Sequence, residues 1–215
     1  MEEFKEMCMS DEEENVTRSL LVIPGISSDP YESPFEDVVE YAKDMDFSVV
    51  RLNQWSSSED LDNKTLEDMH GMIDRALKKL DEEGYNYIGV IGKSFGGQLA
   101  LTYPHNERFD FMVLWAPSIG LGNNNVDKWR STVLGQASEA TDISIDASSL
   151  EKIESPVKII HGTNDEVVNV ENSEKLVQHL RKGELLKIEG GDHSFSSKEK
   201  RLISESKGMF LFSHM

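Results

Sequence analysis

The chain has 215 residues, which is enough for one domain with a substantial hydrophobic core. Its 40 acidic residues outnumber 22 basic ones, giving a net charge of −18. This balance argues against binding to nucleic acid or to anionic membranes, because both depend on clusters of Lys and Arg.

Two further features favour a cytoplasmic location. The single cysteine, Cys8, cannot form an internal disulfide, and no stretch approaches the ~20 apolar residues of a membrane span. The N-terminus, Met1 to Glu6, is acidic and has no apolar segment typical of a secretory signal. No Cys/His spacing typical of zinc or haem is present, so we expect no metal and no cofactor.

The acidic excess has two interpretations that the sequence leaves open. It is either an ordinary solvated, solubilising surface or an adaptation to high salt, where screening removes the repulsion between carboxylates. Lysine outnumbers arginine 15 to 7. We expect strongly salt-adapted proteins to avoid lysine, so this ratio counts against the second interpretation.

In chain order, residues 1–16 carry seven acids and one lysine and are expected to be a flexible lead-in. A single domain, 17–215, is expected to follow. Apolar spacing there predicts strand 19–23, helix 34–45, strand 47–52, helix 66–80, strand 87–91, a helix opening at 98, strand 109–115, strand 157–161, helix 171–181, strand 185–189 and helix 197–212. This alternation predicts an α/β fold, a three-layer α/β/α sandwich around a mostly parallel six-stranded sheet.

The most specific motif lies between the predicted strand 87–91 and the helix after it. Gly92-Lys93-Ser94-Phe95-Gly96 has the G-x-S-x-G pattern of a nucleophile elbow. In such a turn the serine has a strained backbone, and Gly92 and Gly96 are needed because side chains there would collide with the strand and helix. Lys93 occupies the variable position and is expected to stabilise its surroundings rather than to react.

An acid and a histidine follow in an order that matches this motif. Asp165 follows the predicted strand 157–161, and His193 follows the strand 185–189. With Ser94, Asp165 and His193 each after a predicted strand, the chain resembles the α/β-hydrolase superfamily over residues 17–212, in particular small serine esterases or dienelactone-hydrolase-like proteins with a minimal cap. Glu166 and Asp192 remain alternatives for the acid.

The resemblance implies a reduced version of that fold and a division of roles among the three residues. Ser94 is expected to attack an acyl carbonyl, His193 to move the proton, and Asp165 to orient the imidazole. The oxyanion is expected to be bound by the backbone N–H groups of Phe95 and of Ile26, with Ser27 as the alternative to Ile26.

Substrate recognition is less clearly encoded. The link at about 116–155 is the longest between predicted core strands and is expected to carry a short cap with a helix near 127–134. This small cap favours substrates of modest size. Four residues are candidates to line the substrate site, although each is also compatible with ordinary packing: Tyr31, Trp55, Ile119 and Trp129.

The resulting hypothesis is a metal-independent, carboxylesterase-like serine hydrolase. It would cleave a small carboxylic ester or thioester through an acyl-enzyme, as a monomer or a homodimer. The alternatives are a non-catalytic binding protein or scaffold with this fold, or an acyltransferase or peptidase. A nucleotide-binding domain is disfavoured because neither Gly-rich loop has the required spacing. His161, which ends a predicted strand, is expected to pack or cap.

Overall fold

The computed structural model describes residues 16–26, 28–53, 55, 58–127 and 143–214. The predicted lead-in falls almost entirely outside these residues, as does most of the predicted cap helix. The described strands are β1 Arg18–Ile23, β2 Phe47–Arg51, β3 Tyr87–Lys93, β4 Phe111–Trp115, β5 Gly120–Leu121, β6 Ser144–Ile145, β7 Val157–Gly162 and β8 Gly183–Ile188.

Six of these strands form one parallel sheet in the spatial order β2–β1–β3–β4–β7–β8. The four central strands, β1, β3, β4 and β7, are apolar and mostly buried on both faces, which is typical of a parallel sheet covered by helices. The register aligns Ile23 of β1 with Gly92 of β3, and Gly162 of β7 with Ile188 of β8. The loops after these strands therefore emerge at one edge of the sheet.

The described helices cover the two faces of the sheet and enclose two clusters of buried side chains. They are α1 Phe35–Asp44, α2 Leu66–Glu82, α3 Phe95–Thr102, α4 Ala147–Leu150, α5 Val170–Val177 and α6 Glu199–Lys207, with 3₁₀ turns at Ser58–Leu61, Asn106–Arg108 and Gly208–His214. Helices α2, α3 and α5 contribute to one cluster and α1 and α6 to the other. The predicted α/β sandwich with a six-stranded parallel sheet is confirmed.

Helix α2 shows how local sequence and packing agree. Its apolar residues recur at helical spacing and are buried against the sheet. The Thr65 side chain accepts from the Asp68 N–H, and the Asp68 carboxylate accepts from the Thr65 N–H, which together form a capping box. The helix ends before Gly84, whose φ of 83° lies in the left-handed region.

Two predicted boundaries were wrong. The last helix ends at Lys207, and a 3₁₀ turn, Gly208–His214, continues the chain instead of the predicted helix to residue 212. Helix α5 ends at Val177 rather than near residue 181. The chain must turn early there because Gly183, the first residue of β8, packs directly against Val177 and Leu180.

The insertion after β4 has a feature that the sequence pattern did not indicate. Its two ends form the short parallel pair β5–β6, in which Gly120 is opposite Ser144. This pair joins the start and the end of the insertion beside the main sheet. Within the part of the chain that the structure describes, no helix combines the length and apolar character needed to cross a bilayer.

Candidate active site

Ser94 lies at the tip of a sharp turn between β3 and α3. Its φ of 50° and ψ of −115° fall outside the regions that non-glycine residues favour. A Cβ on Gly96 would lie 2.0 Å from the carbonyl oxygen of Ile23, and one on Gly92 would lie 2.8 Å from the carbonyl oxygen of Gly96. The close approach of β1, β3 and α3 therefore requires glycine at both positions.

The strained backbone of Ser94 is held by hydrogen bonds on both sides. Its N–H donates to the carbonyl oxygen of Trp115 at 2.8 Å. Its own carbonyl oxygen accepts from the N–H groups of Gln98 and Ser118, at 3.0 and 3.1 Å. The end of β4 thus supports the turn and keeps the Ser94 hydroxyl at the carboxyl edge of the sheet.

His193 connects this serine to an acid. Its Nε2 lies 3.1 Å from Ser94 Oγ, and its Nδ1 lies 2.7 Å from Asp165 Oδ2. Because the carboxylate only accepts, Nδ1 carries the proton, and Nε2 is free to accept from the Ser94 hydroxyl. The side chain of His193 retains 18% of its exposure, so a small molecule can reach this side of the ring.

The acid in contact with His193 is Asp165. Its Oδ1 accepts from the N–H groups of Val167 and Val168, at 2.9 and 2.8 Å, and its side chain is fully buried. Burial by itself would raise the pKa of Asp165, but the hydrogen bonds from His161, His193 and Val168 outweigh it and hold that pKa well below its usual range. Asp165 is therefore a carboxylate at neutral pH.

The two alternative acids have other surroundings. Glu166 is exposed. The Asp192 carboxylate is also exposed and accepts from the Ser196 N–H at 2.9 Å, within its own loop. The pKa of Asp192 is lowered mainly by that backbone hydrogen bond. The structure thus brings Asp165, and neither alternative, against the imidazole.

The loops that carry Asp165 and His193 are bonded to each other directly. The Thr163 N–H donates to the Ile188 carbonyl at 3.0 Å, and the Asn164 N–H donates to the Gly191 carbonyl at 2.9 Å. A Cβ on Gly162 would lie only 2.2 Å from the Gly191 carbonyl oxygen. The separation of the acid from the histidine is therefore set by backbone contact between the loops.

The predicted oxyanion donors lie beside Ser94. Phe95 is the first residue of α3, and the first N–H groups of a helix have no acceptor within it. A Cβ on Gly25 would lie 3.2 Å from the Ser94 Cβ, so the loop that leads to Ile26 passes close to the serine. Ser27, the alternative donor, lies outside the described residues.

Lys93 precedes the serine and is half-buried. Burial lowers the pKa of its ammonium, and the negative charges of Asp192 and Asp165 partly oppose that effect. Its position between two acids agrees with a role in stabilising its surroundings. Among the described residues, no group of three or more His, Cys, Asp or Glu side chains has the arrangement needed to hold a metal ion.

The candidates for substrate lining have different environments. Trp55 and Ile119 are each only 1% exposed, and the Trp55 ring packs edge-on against Phe95 at 6.0 Å. Tyr31 is 52% exposed and lies 4.7 Å from the Arg51 guanidinium, which sits over its ring. Trp129 lies outside the described residues. The contribution of these residues to substrate binding stays a prediction.

One residue near the acid was not anticipated. His161, near the end of β7, is fully buried, and its Nε2 lies 3.2 Å from Asp165 Oδ2. In the sequence it looks like one more strand residue, because a histidine at the end of a strand carries no signal of what it contacts. Only the folding of the loop after β7 back over the strand brings Asp165 against it.

Comparison with known proteins agrees with the α/β fold described above. The sequence profile described as the prolyl oligopeptidase family matches residues 51–214, well over half of the chain. A search of curated protein sequences gave no match.

Solved structures of similar fold cover nearly the whole chain at low sequence identity. Est1E from Butyrivibrio proteoclasticus with bound ferulic acid is 18% identical, covers 91% of this chain and 89% of its own, and has a TM-score of 0.74. MGS-MChE2, an α/β hydrolase from the metagenome of sediments of the Mar Chica lagoon, Morocco, is 22% identical, with 92% of each chain covered and a TM-score of 0.67. The serine hydrolase CCSP0084 from Cycloclasticus zankles is 15% identical, with 91% and 90% covered and a TM-score of 0.68. These likenesses show the fold, that of the α/β hydrolases.

Proposed function

The chain belongs to the prolyl oligopeptidase family, and from this membership together with the geometry of Ser94, His193 and Asp165 we propose that this hydrolase is a serine esterase. The observation that carries the proposal is the continuous chain of hydrogen bonds from Ser94 Oγ through the imidazole to a buried carboxylate. This is the arrangement that activates a serine hydroxyl as a nucleophile.

The reaction would proceed in two steps. Ser94 Oγ attacks the acyl carbonyl carbon while its proton moves to His193 Nε2, and the tetrahedral oxyanion is bound by the N–H groups of Phe95 and Ile26. The C–O bond to the leaving alcohol then breaks, and His193 gives the proton to the departing oxygen. In the second step a water molecule gives a proton to His193 while its oxygen attacks the acyl carbon of the acyl-enzyme. The bond from that carbon to Ser94 Oγ then breaks, His193 returns the proton to Oγ, and the carboxylic acid leaves.

Asp165 has a defined task in both steps. His193 becomes an imidazolium each time it takes a proton, and the buried carboxylate stabilises that charge at 2.7 Å from Nδ1. Because its pKa is held well below the usual range, Asp165 stays ionised and does not take the proton itself. The same hydrogen bond fixes the tautomer that leaves Nε2 available to Ser94.

The substrate class is tested with p-nitrophenyl esters from acetate to octanoate, with ethyl ferulate as an aromatic ester, at low and at molar salt. We expect turnover in the wild type and in Ser148→Ala, a control at an exposed serine, and its loss in Ser94→Ala. A fluorophosphonate probe should label the wild type at Ser94. A folded protein that neither turns over esters nor labels would be a non-catalytic scaffold.

A peptidase is the second candidate, and the family match is the observation that favours it. A peptide p-nitroanilide with proline before the scissile bond, tested beside the ester of the same acyl group, separates the two activities. We expect the ester to be the better substrate. A p-nitroanilide kcat/KM equal to or above that of the ester would assign the protein as a peptidase. Acyl transfer to an added alcohol in place of hydrolysis would assign an acyltransferase.

A further inference from the structure

A second imidazole lies against the acid, beside the same carboxylate oxygen that bonds His193. His161 Nε2 is 2.9 Å from the carbonyl oxygen of Val168 and 3.2 Å from Asp165 Oδ2, and His161 Nδ1 is 2.7 Å from Ser173 Oγ. Both His161 and Ser173 are fully buried. Asp165 Oδ2 therefore contacts two histidine rings, of which only His193 is partly exposed.

The partners of His161 define where its proton resides. Both atoms near Nε2, a carbonyl oxygen and a carboxylate oxygen, only accept hydrogen bonds, so Nε2 must carry a proton. Nδ1 faces a hydroxyl, which can donate to it. The neutral ring with the proton on Nε2 thus satisfies both of its nitrogens, with Ser173 as donor and Val168 and Asp165 sharing the Nε2–H.

These contacts close a ring around the acid. The Val168 N–H donates to Asp165 Oδ1, while the Val168 carbonyl accepts from His161, whose Nε2 also lies beside Asp165 Oδ2. Both carboxylate oxygens are thereby held, one from the loop and one from the strand. Rotation of the carboxylate away from His193 would break contacts on both sides.

We propose that His161 is a positioning residue that fixes the orientation and the charge of the Asp165 carboxylate, and so the alignment of His193 with Ser94. This inference rests on the proposed hydrolase function. A bulky apolar side chain would fill the same space without the cost of burying two polar ring nitrogens. The polar ring is explained by the acceptors around it: without it the Val168 carbonyl would lose its Nε2–H donor, and Asp165 Oδ2 would keep only the bond from His193.

The effect on the acid has a definite sign. The hydrogen bond from His161 lowers the pKa of Asp165, because it stabilises the charged form. Without that bond, more of the carboxylate charge would act on His193 and stabilise its imidazolium form. Since activity requires neutral His193, the acid limb of the activity profile would move to higher pH.

The other charged groups near the two rings are the same in the wild type and in every variant that would test this proposal. They are Lys93 of β3, Glu166 and Asp192 of the two loops, and Glu174 of α5 with Lys187 of β8, which pair at 2.9 Å.

The test compares three variants near the acid with a matched control. His161→Phe removes both ring nitrogens, and His161→Gln keeps an N–H that can reach the place of Nε2. Ser173→Ala removes only the hydroxyl that bonds His161 Nδ1, the ring nitrogen that does not face Asp165. The control is His70→Phe, which removes another buried histidine, one that bonds Thr102 at 3.1 Å and lies on α2, away from the acid. Ester hydrolysis is followed from pH 5 to 9, together with urea unfolding.

We expect His161→Phe to lower kcat by up to ~100-fold, the cost of misplacing a catalytic group by about 1 Å, with little change in KM. Its acid limb should move to higher pH, by about half a unit. His161→Gln should restore the pH midpoint and most of kcat, and Ser173→Ala should give a smaller shift in the same direction. His70→Phe should lower the urea midpoint and leave the pH midpoint unchanged.

An NMR titration of the His193 ring in the same variants tests the positioning role of His161 separately from the proposed hydrolase function, because it requires no turnover. If the wild type shows no Ser94-dependent hydrolysis, the proposed function fails, yet a titration midpoint of His193 that moves upward in His161→Phe and returns in His161→Gln still supports the positioning role. A His193 midpoint that is the same in wild type, His161→Phe and His161→Gln overturns that role, whatever happens to stability.

Discussion

The contact between Gly162 and Gly191 makes the alignment of the active site sensitive to a single methyl group. In Gly162→Ala, the new Cβ would lie 2.2 Å from the Gly191 carbonyl oxygen, 2.5 Å from the Gly191 carbonyl carbon and 3.0 Å from the Asp192 carbonyl oxygen. The shortest of these distances is about 1 Å below the closest tolerable approach of a carbon and an oxygen. Since all three atoms are backbone, no side-chain rotation can relieve the overlap.

The overlap can be relieved only if the two loops move apart by about 1 Å. Asp165 follows Gly162 by three residues and His193 follows Gly191 by two, so their separation grows with the loops. The Ser94 Oγ to His193 Nε2 distance, now 3.1 Å, would then leave hydrogen-bond range. We expect kcat to fall by about 100-fold and the free energy of unfolding to fall by about 1–3 kcal/mol.

The assay is p-nitrophenyl ester hydrolysis with kcat and KM determined separately, beside urea unfolding of the same preparations. A loss of 2 kcal/mol corresponds to a midpoint about 1 M lower for a typical urea slope of about 2 kcal/mol per M. The matched control is Gly208→Ala, where a Cβ meets nothing within 4 Å and φ is −57°. We expect neither kcat nor the urea midpoint to fall in this control.

Full activity and unchanged stability in Gly162→Ala would refute this reasoning, because it would mean that the loops yield without cost. A loss of stability with unchanged kcat would show that the loop contact supports the fold but does not align the site. A loss of kcat with native stability would show that the loop contact aligns the site and that the variant relieves the overlap with little strain.

Three further outcomes follow from the local geometry. Both Ser94→Gly and Ser94→Ala lack the nucleophile, but only glycine relieves the positive φ at this position. The free energy of unfolding should therefore be about 1 kcal/mol higher in Ser94→Gly than in Ser94→Ala, and equal urea midpoints would contradict the strain. Since the pKa of Asp165 is lowered in the folded state, its contribution to stability is present above about pH 4 and is lost as pH falls further. In urea unfolding at several pH values, the free energy of unfolding should therefore fall less on acidification in Asp165→Asn than in wild type. Thr65→Ala should lower the free energy of unfolding by about 1 kcal/mol through loss of the capping box, with unchanged kcat; an effect on kcat would contradict a purely local role of the cap.

Much of the fold and the core of the site could be predicted from sequence because the signals are local. Apolar runs and helical spacing follow from which faces are buried, and the glycines on both sides of Ser94 follow from a turn that leaves no room for a Cβ. Ser94, Asp165 and His193 each follow a strand, in the order that the resemblance to the α/β hydrolases implies. Because the carboxyl ends of parallel strands meet at one edge, the three side chains could be expected to lie close together. Element ends were less predictable, as α5 shows, because packing against β8 ends that helix.

The choice among neighbouring acids and the role of His161 required the tertiary structure. Asp165, Glu166 and Asp192 are chemically alike, and only the paths of the loops after β7 and β8 turn the first toward His193 and leave the other two exposed. Trp55 illustrates the same point, since the sequence left open whether this loop tryptophan lines the substrate site or packs, and only the structure shows it 1% exposed and against Phe95. The amino-acid sequence determined which chemistry is present and at which edge of the sheet it lies, whereas the orientation of each group depends on contacts between residues far apart in the chain, such as the 99 positions that separate Ser94 from His193.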